Sequence, residues 1–327
     1  MDVLCLGEAL IDFVALETGV GVGEASGFLK APGGAPANVA VGVARLGGSA
    51  GFIGRVGEDP FGHFLRDTFA ENGVDTSGMS FDKEARTGLA FVSLQADGER
   101  DFSFFRNPSA DMRLAPAHLD RNLIGSARVY HFGSITQIDE PARSATLAAL
   151  KIAREAGCII SYDPNLRPPL WPGLDEARKT IRAMLPLVDV AKLSDEELLF
   201  VTGAEDLQTA MDLWFNDGSR PPLTVVTEGA NGCTYLHGTA GQKIAGYKVG
   251  AVDATGAGDG FVAGMLVRLL NHVEKPADIA QITPDAFKEI FSYANAVGAL
   301  TTTKKGAIPA LPTVAQVEQF LTQAIQN

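Results

Sequence analysis

Short, continuously apolar runs alternate along the chain with longer segments whose apolar residues recur every third or fourth position. Residues 3–7 form one such run, ending on glycine, and read as a buried strand. Residues 36–46 read as a helix, with Pro36 in its first turn, Val39, Val43 and Leu46 on one face, and Gly47-Gly48 as its stop. Residues 50–56 predict a strand. Asp59-Pro60 then opens a helix that buries Phe61, Phe64, Leu65 and Phe69 and ends at Gly73. The rhythm returns as a strand over 129–132, a helix over 141–155, a strand over 158–163, a helix over 175–185 and a strand over 188–193. A β-rich stretch follows from Leu223 to about Val249, and three helices, near 257–270, 284–303 and 313–325, complete the pattern. Strands separated by helices argue for βαβ units and a mostly parallel sheet. Such a sheet places ligands at the carboxyl ends of its strands.

Two stretches interrupt this rhythm. Residues 12–30 and 86–106 carry alternating or β-leaning positions, such as 89–94 and 101–105, and neither contains a helical period. Together they predict a small antiparallel sheet projecting from the main body. Apolar residues on a projecting sheet need cover from a ligand, from the main body or from a second subunit.

Composition narrows the function classes. The chain has 27 Lys+Arg against 39 Asp+Glu, a net charge of −12, with 46% hydrophobic and 20% charged residues, the profile of a soluble globular protein. The acidic balance argues against a nucleic-acid partner, although a nucleotide held by a few backbone amides stays possible. The apolar runs are too short or too glycine-rich to suggest a membrane span. Cys5, Cys158 and Cys233 lie far apart in or beside apolar runs, so buried free thiols are expected. With no basic leader at residues 1–3, a reducing cytoplasm is the expected compartment.

Several chemistries are absent from the sequence. There is no Gly-x-x-x-x-Gly-Lys-Ser/Thr phosphate loop, and no dinucleotide glycine fingerprint follows the first strand. His63, His118, His131, His237 and His272 form no zinc-ligand pair.

Four polar or glycine-rich patches remain as candidates. Asp253-Ala254-Thr255-Gly256-Ala257-Gly258-Asp259-Gly260 leads straight into an apolar helix. Small residues there let backbone N–H groups converge where the helix dipole is positive, a setting suited to a migrating phosphoryl group. Asp259 in the first turn is then placed to take a proton from an attacking hydroxyl. A plain glycine-rich helix start, with Asp259 complementing the dipole, accounts for the same residues. Gly33-Gly34-Ala35-Pro36-Ala37-Asn38 also opens a helix, and Asn38 is suited to a polyol, although Gly-Gly before a helix is often only a turn. Asp163-Pro164-Asn165-Leu166-Arg167 ends a buried strand, where Arg167 is either a phosphate contact or a surface residue of a polar turn. In Lys192-Leu193-Ser194-Asp195-Glu196-Glu197, Ser194 and Glu197 make a capping box, which competes with a role for Glu197 in ordering metal-bound water.

Taken in order, these patches resemble the ribokinase-type (phosphofructokinase-B-like) carbohydrate kinases over nearly the whole chain. Residues 33–40 with Arg45-Leu46-Gly47 match the N-terminal signature of that family, and 253–259 match its more specific C-terminal one. Residues 54–62, Gly-Arg-Val-Gly-Glu-Asp-Pro-Phe-Gly, add a third match. Within the family the wording at 7–13, 105–112 and 162–167 is closest to fructokinases.

The resemblance implies a three-layer α/β/α sandwich with a mostly parallel central sheet. Residues 1–11, 32–85 and 108–327 would form the main nucleotide- and sugar-binding domain, and 12–31 with 86–107 a β-lid. It implies an ATP-dependent phosphotransferase acting on C6 of D-fructose, with Asp259 as base, Gly256, Ala257 and Gly258 as anion hole, and Arg167 facing the phosphates. Alternatives are a kinase of the same family for ribose, 2-keto-3-deoxygluconate or aminoimidazole riboside, and a non-catalytic sugar-binding homologue. By the same resemblance, Asp12, Gly33, Gly34, Asn38 and Asn165 hold the sugar, with Arg106 and Asn107 contributing from the lid. Lys192, Thr227, Gly229, Gly232, Gly258 and Asn295 serve the nucleotide. Glu197 reaches Mg²⁺ through water, and Asp253, Thr255 and Gly306 form a monovalent-cation loop for K⁺. Ser194 stands where the family usually has Asn, and Glu228 replaces a usually apolar residue of the nucleotide turn. Pairing of one lid with another predicts a homodimer.

Overall fold

The computed structural model describes residues 1–94 and 100–326; the expected lid segment 86–107 therefore includes five positions, 95–99, outside the described residues. The chain opens with β1 (Val3–Leu6), β2 (Leu10–Thr18), β3 (Phe28–Gly33), α1 (Ala35–Arg45), β4 (Ala50–Gly57), α2 (Pro60–Glu71), β5 (Val74–Asp75) and β6 (Met79–Asp82). Next come β7 (Gly88–Leu94), β8 (Arg100–Phe105), α3 (Arg121–Gly125), β9 (Val129–Phe132), α4 (Ala142–Glu155), β10 (Ile159–Tyr162), α5 (Leu174–Met184) and β11 (Val190–Ser194). The remainder is α6 (Asp195–Thr202), α7 (Leu207–Phe215), β12 (Leu223–Thr227), β13 (Cys233–His237), β14 (Ala240–Ile244), α8 (Ala257–Leu269), α9 (Pro284–Thr301) and α10 (Val314–Gln326).

The central sheet runs β14-β13-β12-β11-β10-β9-β1-β4-β5, with β6 also paired to β4. It is parallel from β12 to β5 and antiparallel where β13 and β14 extend it. Its inner strands are mostly apolar because both faces are covered. In β1, Val3 and Cys5 point into one core, with Val39 of α1, Leu266 of α8 and Phe291 of α9. Leu4 and Leu6 point into the other, with Ile152 of α4, Ile181 of α5 and Trp214 of α7. The three-layer α/β/α sandwich follows from this alternation.

The projecting sheet has the order β3-β2-β7-β8. It was expected to be antiparallel, and here the expectation is corrected: β2 and β7 pair in parallel, with Asp12 opposite Ala90, while the outer pairs are antiparallel. The reason is connectivity. Each hairpin leaves the main body with its first strand running outward, so the two first strands lie side by side in one direction. Its strands reach back to Leu10 and forward to Gly33, beyond the 12–30 span read from the pattern. The short β5, β6, α3 and α7 carry too few periodic positions for the pattern to reveal them.

α8 packs between α1 and α9 through small residues. A Cβ on Gly42 of α1 would meet Ala263 Cβ at 2.6 Å, and one on Gly264 would meet Val297 Cγ2 at 2.9 Å and Ala294 Cα at 3.2 Å. This close approach draws the N-terminus of α8 against the sheet. Gly264→Val is expected to overpack the seam and lower stability by about 1–3 kcal/mol. A urea titration checks this through a lower midpoint at unchanged m-value.

Candidate functional site

A cavity of about 730 Å³ lies at the carboxyl ends of the parallel strands, between the projecting sheet and the start of α8. It is lined, among others, by Asp12, Gly34, Asn38, Asn165, Arg167, Lys192, Asp253, Thr255, Gly256, Gly258, Asp259 and Gly306. Residues from every quarter of the sequence thus meet at one place.

Gly256 caps α8 with φ 77°, a left-handed conformation that a side chain would strain. A Cβ there would also meet Ala307 Cβ at 2.7 Å. The turn is closed by the Ala257 N–H, which donates to Ala254 O at 3.2 Å. Ala257 was expected in the anion hole; its amide is spent on this turn. The first-turn amides of Gly258 and Asp259 have no acceptor among the described residues and sit at the positive end of the dipole. Lys192 adds charge beside them: a Cβ on Gly258 would lie 3.3 Å from its Nζ.

Asp259 is 7% exposed. Its Oδ2 accepts from Asn38 Nδ2 at 2.8 Å, and its Oδ1 accepts a longer bond from Asn165 Nδ2 at 3.5 Å. Burial pushes its carboxyl up to about 6; Asp163 adds to the rise, whereas Asn38, Arg167 and Lys192 oppose it. A carboxylate so tuned is half-protonated near pH 6 and mostly ionised at neutral pH, which suits a general base. Asn165 reaches it from a left-handed backbone, φ 45°, held by its own N–H to Asp163 Oδ1 at 3.1 Å. Asp163 in turn pairs with Lys192 at 3.1 Å. Arg167 lines the cavity and donates to Leu166 O at 3.2 Å.

The sugar-side expectations divide. The Asp12 carboxylate lies over the Gly33 backbone, where a Cβ would come within 2.3 Å of its Oδ2. Gly34 has φ 113°, and a Cβ on it would strike Glu8 O at 2.2 Å. Gly33 thus serves by making room for Asp12, and Gly34 by a turn no other residue can make. Arg106 and Asn107, expected from the lid, are not among the cavity-lining residues. Arg106 is buried with its Nε donating to Asp111 Oδ2 at 3.0 Å, and Asn107 is exposed. Glu8, outside the four candidate patches, is buried in the cavity wall and accepts from Ala35 N at 2.9 Å, fixing the first turn that carries Asn38. Its position in the Gly7-Glu8-Ala9 stretch was the available signal.

On the nucleotide side, Thr227, Gly229 and Gly232 form the β12–β13 turn, outside the enclosed cavity. A Cβ on Gly232 would meet Ile244 O at 2.1 Å, whereas Gly229 faces open space. Asn295 donates to Ile244 O at 3.2 Å and Ala245 O at 3.1 Å, tying α9 to the end of β14. Glu228 accepts from Thr234 Oγ1 at 2.8 Å and Lys243 Nζ at 2.5 Å. Glu197 accepts from Leu166 N and Ser194 N, both at 2.8 Å, so its two oxygens complete the capping box and hold the β10 loop. These bonds give Glu197 a structural role beside the metal role considered for it. Asp253 gathers the loop expected to hold a cation: its Oδ1 accepts from Thr255 N and Oγ1, and its Oδ2 from Gly306 N at 2.9 Å.

The comparisons agree with this geometry. The chain is 51% identical over 321 residues to a probable fructokinase-2 of Arabidopsis thaliana, covering 98% of this chain and 95% of that one. A fructokinase from Xylella fastidiosa, solved with ATP bound, superposes with TM-score 0.89 at 38% identity, covering 99% and 98% of the two chains. A double mutant of the Vibrio cholerae O395 fructokinase, solved with fructose, ADP and potassium, superposes with TM-score 0.85 at 38% identity over 98% of both. The profile of the pfkB family carbohydrate kinases matches residues 1–314. A buried carboxylate at a glycine-opened helix start, reached by amides from two distant turns, is therefore the work of a chain that belongs to the pfkB carbohydrate kinase family.

Proposed function

We propose that this chain is an ATP-dependent kinase that transfers the γ-phosphoryl group to the C6 hydroxyl of D-fructose. The observation that carries the reading is the Asp259 carboxylate, buried at the α8 N-terminus between two side-chain amides. Its support is 51% identity to a probable fructokinase.

In this reading Asp12, Gly34 and Asn38 receive sugar hydroxyls on one wall of the cavity. The attacking oxygen forms its bond to the γ-phosphorus as the bond from that phosphorus to the β–γ bridging oxygen breaks. The hydroxyl proton passes to Asp259, and ADP is the leaving group. The Gly258 and Asp259 amides, Lys192 and Arg167 face the oxygens on which charge accumulates. Among the described residues no three His, Cys, Asp or Glu side chains converge as a metal site, so Mg²⁺ would arrive on the nucleotide phosphates, whose charge it neutralises. The Asp253, Thr255 and Gly306 loop offers oxygen donors suited to K⁺, which would order the adjoining anion hole. Among the described residues no helix is long and apolar enough to cross a membrane, and a reducing cytoplasm fits three free, buried cysteines.

The projecting sheet would exclude water from the reacting phosphoryl group. Leu16, 61% exposed, and Leu29, 56% exposed, stand at the cavity mouth on this sheet, and a second copy of the sheet is the cover proposed for them.

A panel of sugars and ribosides with ADP release as readout tests the acceptor: fructose should lead it, and turnover of ribosides or ketodeoxy-acids without fructose would overturn the choice. Asp259→Asn should lower kcat by about 10³-fold while fructose binding, followed by calorimetry, persists. In the native protein kcat/KM should be flat above neutral pH and fall below about 6, approaching tenfold per pH unit, because protonated Asp259 cannot accept the hydroxyl proton. Leu29→Asp should convert a dimer to a monomer in light scattering; a native protein that is monomeric at micromolar concentration refutes the pairing.

A further inference from the structure

Residues 54–62 carry one of the sequence matches and yet supply no lining residue of the cavity. Their conformation centres on Asp59, 8% exposed. Its Oδ1 accepts from Phe61 N at 3.0 Å and Gly62 N at 2.9 Å, which caps α2. The same carboxylate also grips a residue from a different part of the chain: Thr87 donates its N–H to Oδ2 at 2.9 Å and its hydroxyl to Oδ1 at 2.8 Å. The Thr87 hydroxyl accepts in turn from Gly57 N at 3.0 Å. The loop is shaped around this contact. A Cβ on Gly57 would come within 2.2 Å of Asp59 Oδ2 and 2.6 Å of Thr87 N, and one on Gly62 within 3.1 Å of Thr87 Oγ1.

A helix cap alone does not need these bonds, since a serine or asparagine caps as well. What they hold is the crossing into the projecting sheet. Thr87 immediately precedes β7, whose Gly88 lies opposite Leu10 and whose Ala90 lies opposite Asp12. Ala110 N donates to Arg86 O at 2.8 Å, tying the same crossing from its other side. The clamp therefore sets where β7 begins, and β7 sets the register of β2. A slip of one residue would carry Asp12 to the opposite face of the sheet.

We infer that Asp59 is a positioning residue for the acceptor site: through Thr87 it anchors β7, and through β7 it holds the Asp12 carboxylate over the cavity. This role rests on the reading of Asp12 as a sugar contact, and the test lets the two fail separately.

Asp59→Asn separates cap from clamp. The amide oxygen still accepts from Phe61 and Gly62, whereas its NH₂ group meets the Thr87 N–H donor to donor. Thr87→Val removes the hydroxyl alone, and Thr87→Ser keeps it. For Asp59→Asn and Thr87→Val, KM for fructose should rise about tenfold or more, with KM for ATP within about twofold. Thr87→Ser should stay near the native value. Hydrogen exchange followed by mass spectrometry should quicken in segments 10–16 and 88–93 and stay unchanged in 159–162. The inference is overturned if both KM values move together, if KM for fructose is unchanged in the folded variants, or if exchange quickens equally everywhere. Should the native protein leave fructose untouched, the acceptor reading falls. The clamp is then judged by exchange, and unaltered exchange in 10–16 and 88–93 overturns it.

Discussion

Burying the Asp259 carboxylate in the cavity floor is unfavourable by several kcal/mol unless donors meet it, and its donors come from widely separated parts of the chain. Asn38 arrives on the first turn of α1, Asn165 on the loop after β10, and the helix dipole on α8 itself. These contacts rely on the parallel sheet, which places β1 and β10 on either side of β9. The site is thus a consequence of the sheet order, and the small-residue seam of α8 with α1 and α9 brings the third component close enough to take part. The donors do not cancel the burial. Asp259 remains well above the ordinary carboxylate range, a condition that suits the base role proposed for it.

The same arrangement reconciles an acidic protein with an anionic ligand. The net charge of −12 describes the surface as a whole. Around the start of α8, Lys192, Arg167 and the unpaired first-turn amides place positive charge beside the cavity. Several carboxylates nearby are engaged elsewhere. Asp163 pairs with Lys192, Glu197 accepts two backbone amides, and Glu228 is held by Lys243 and Thr234. Each is directed toward protein donors.

Much of this was legible in the order of residues. The alternation of short apolar runs with helical periods reports a parallel sheet covered on both faces, because such strands have no solvent side on which to place polar residues. The glycine patches at 33–34 and 256–258 report places where backbone must come close, and Asp259 and Asn38 could be read beside them. Arg106 shows the limit. Its sequence neighbourhood suggests a sugar contact, and its partner is Asp111, five positions away, buried with it. Glu197 likewise reads as a capping residue, and nothing in its sequence neighbourhood announces that its other oxygen holds Leu166 N. A charged side chain's partner depends on what packs against it, and residue type alone does not say which.

What the sequence by itself determined is the inventory: which segments are strands and helices, where chain reversals need glycine, and which carboxylates and amides are available for chemistry. Those follow from local backbone preference and from hydrophobic period, which act within a few residues. The tertiary structure decided the pairing. It set β2 parallel to β7, placed Asn38 and Asn165 on one carboxylate, drew Asp59 to Thr87, and paired Glu228 with Lys243. These contacts span tens to hundreds of residues, and each becomes favourable only after the rest of the sheet has met the entropic penalty of bringing its two ends together.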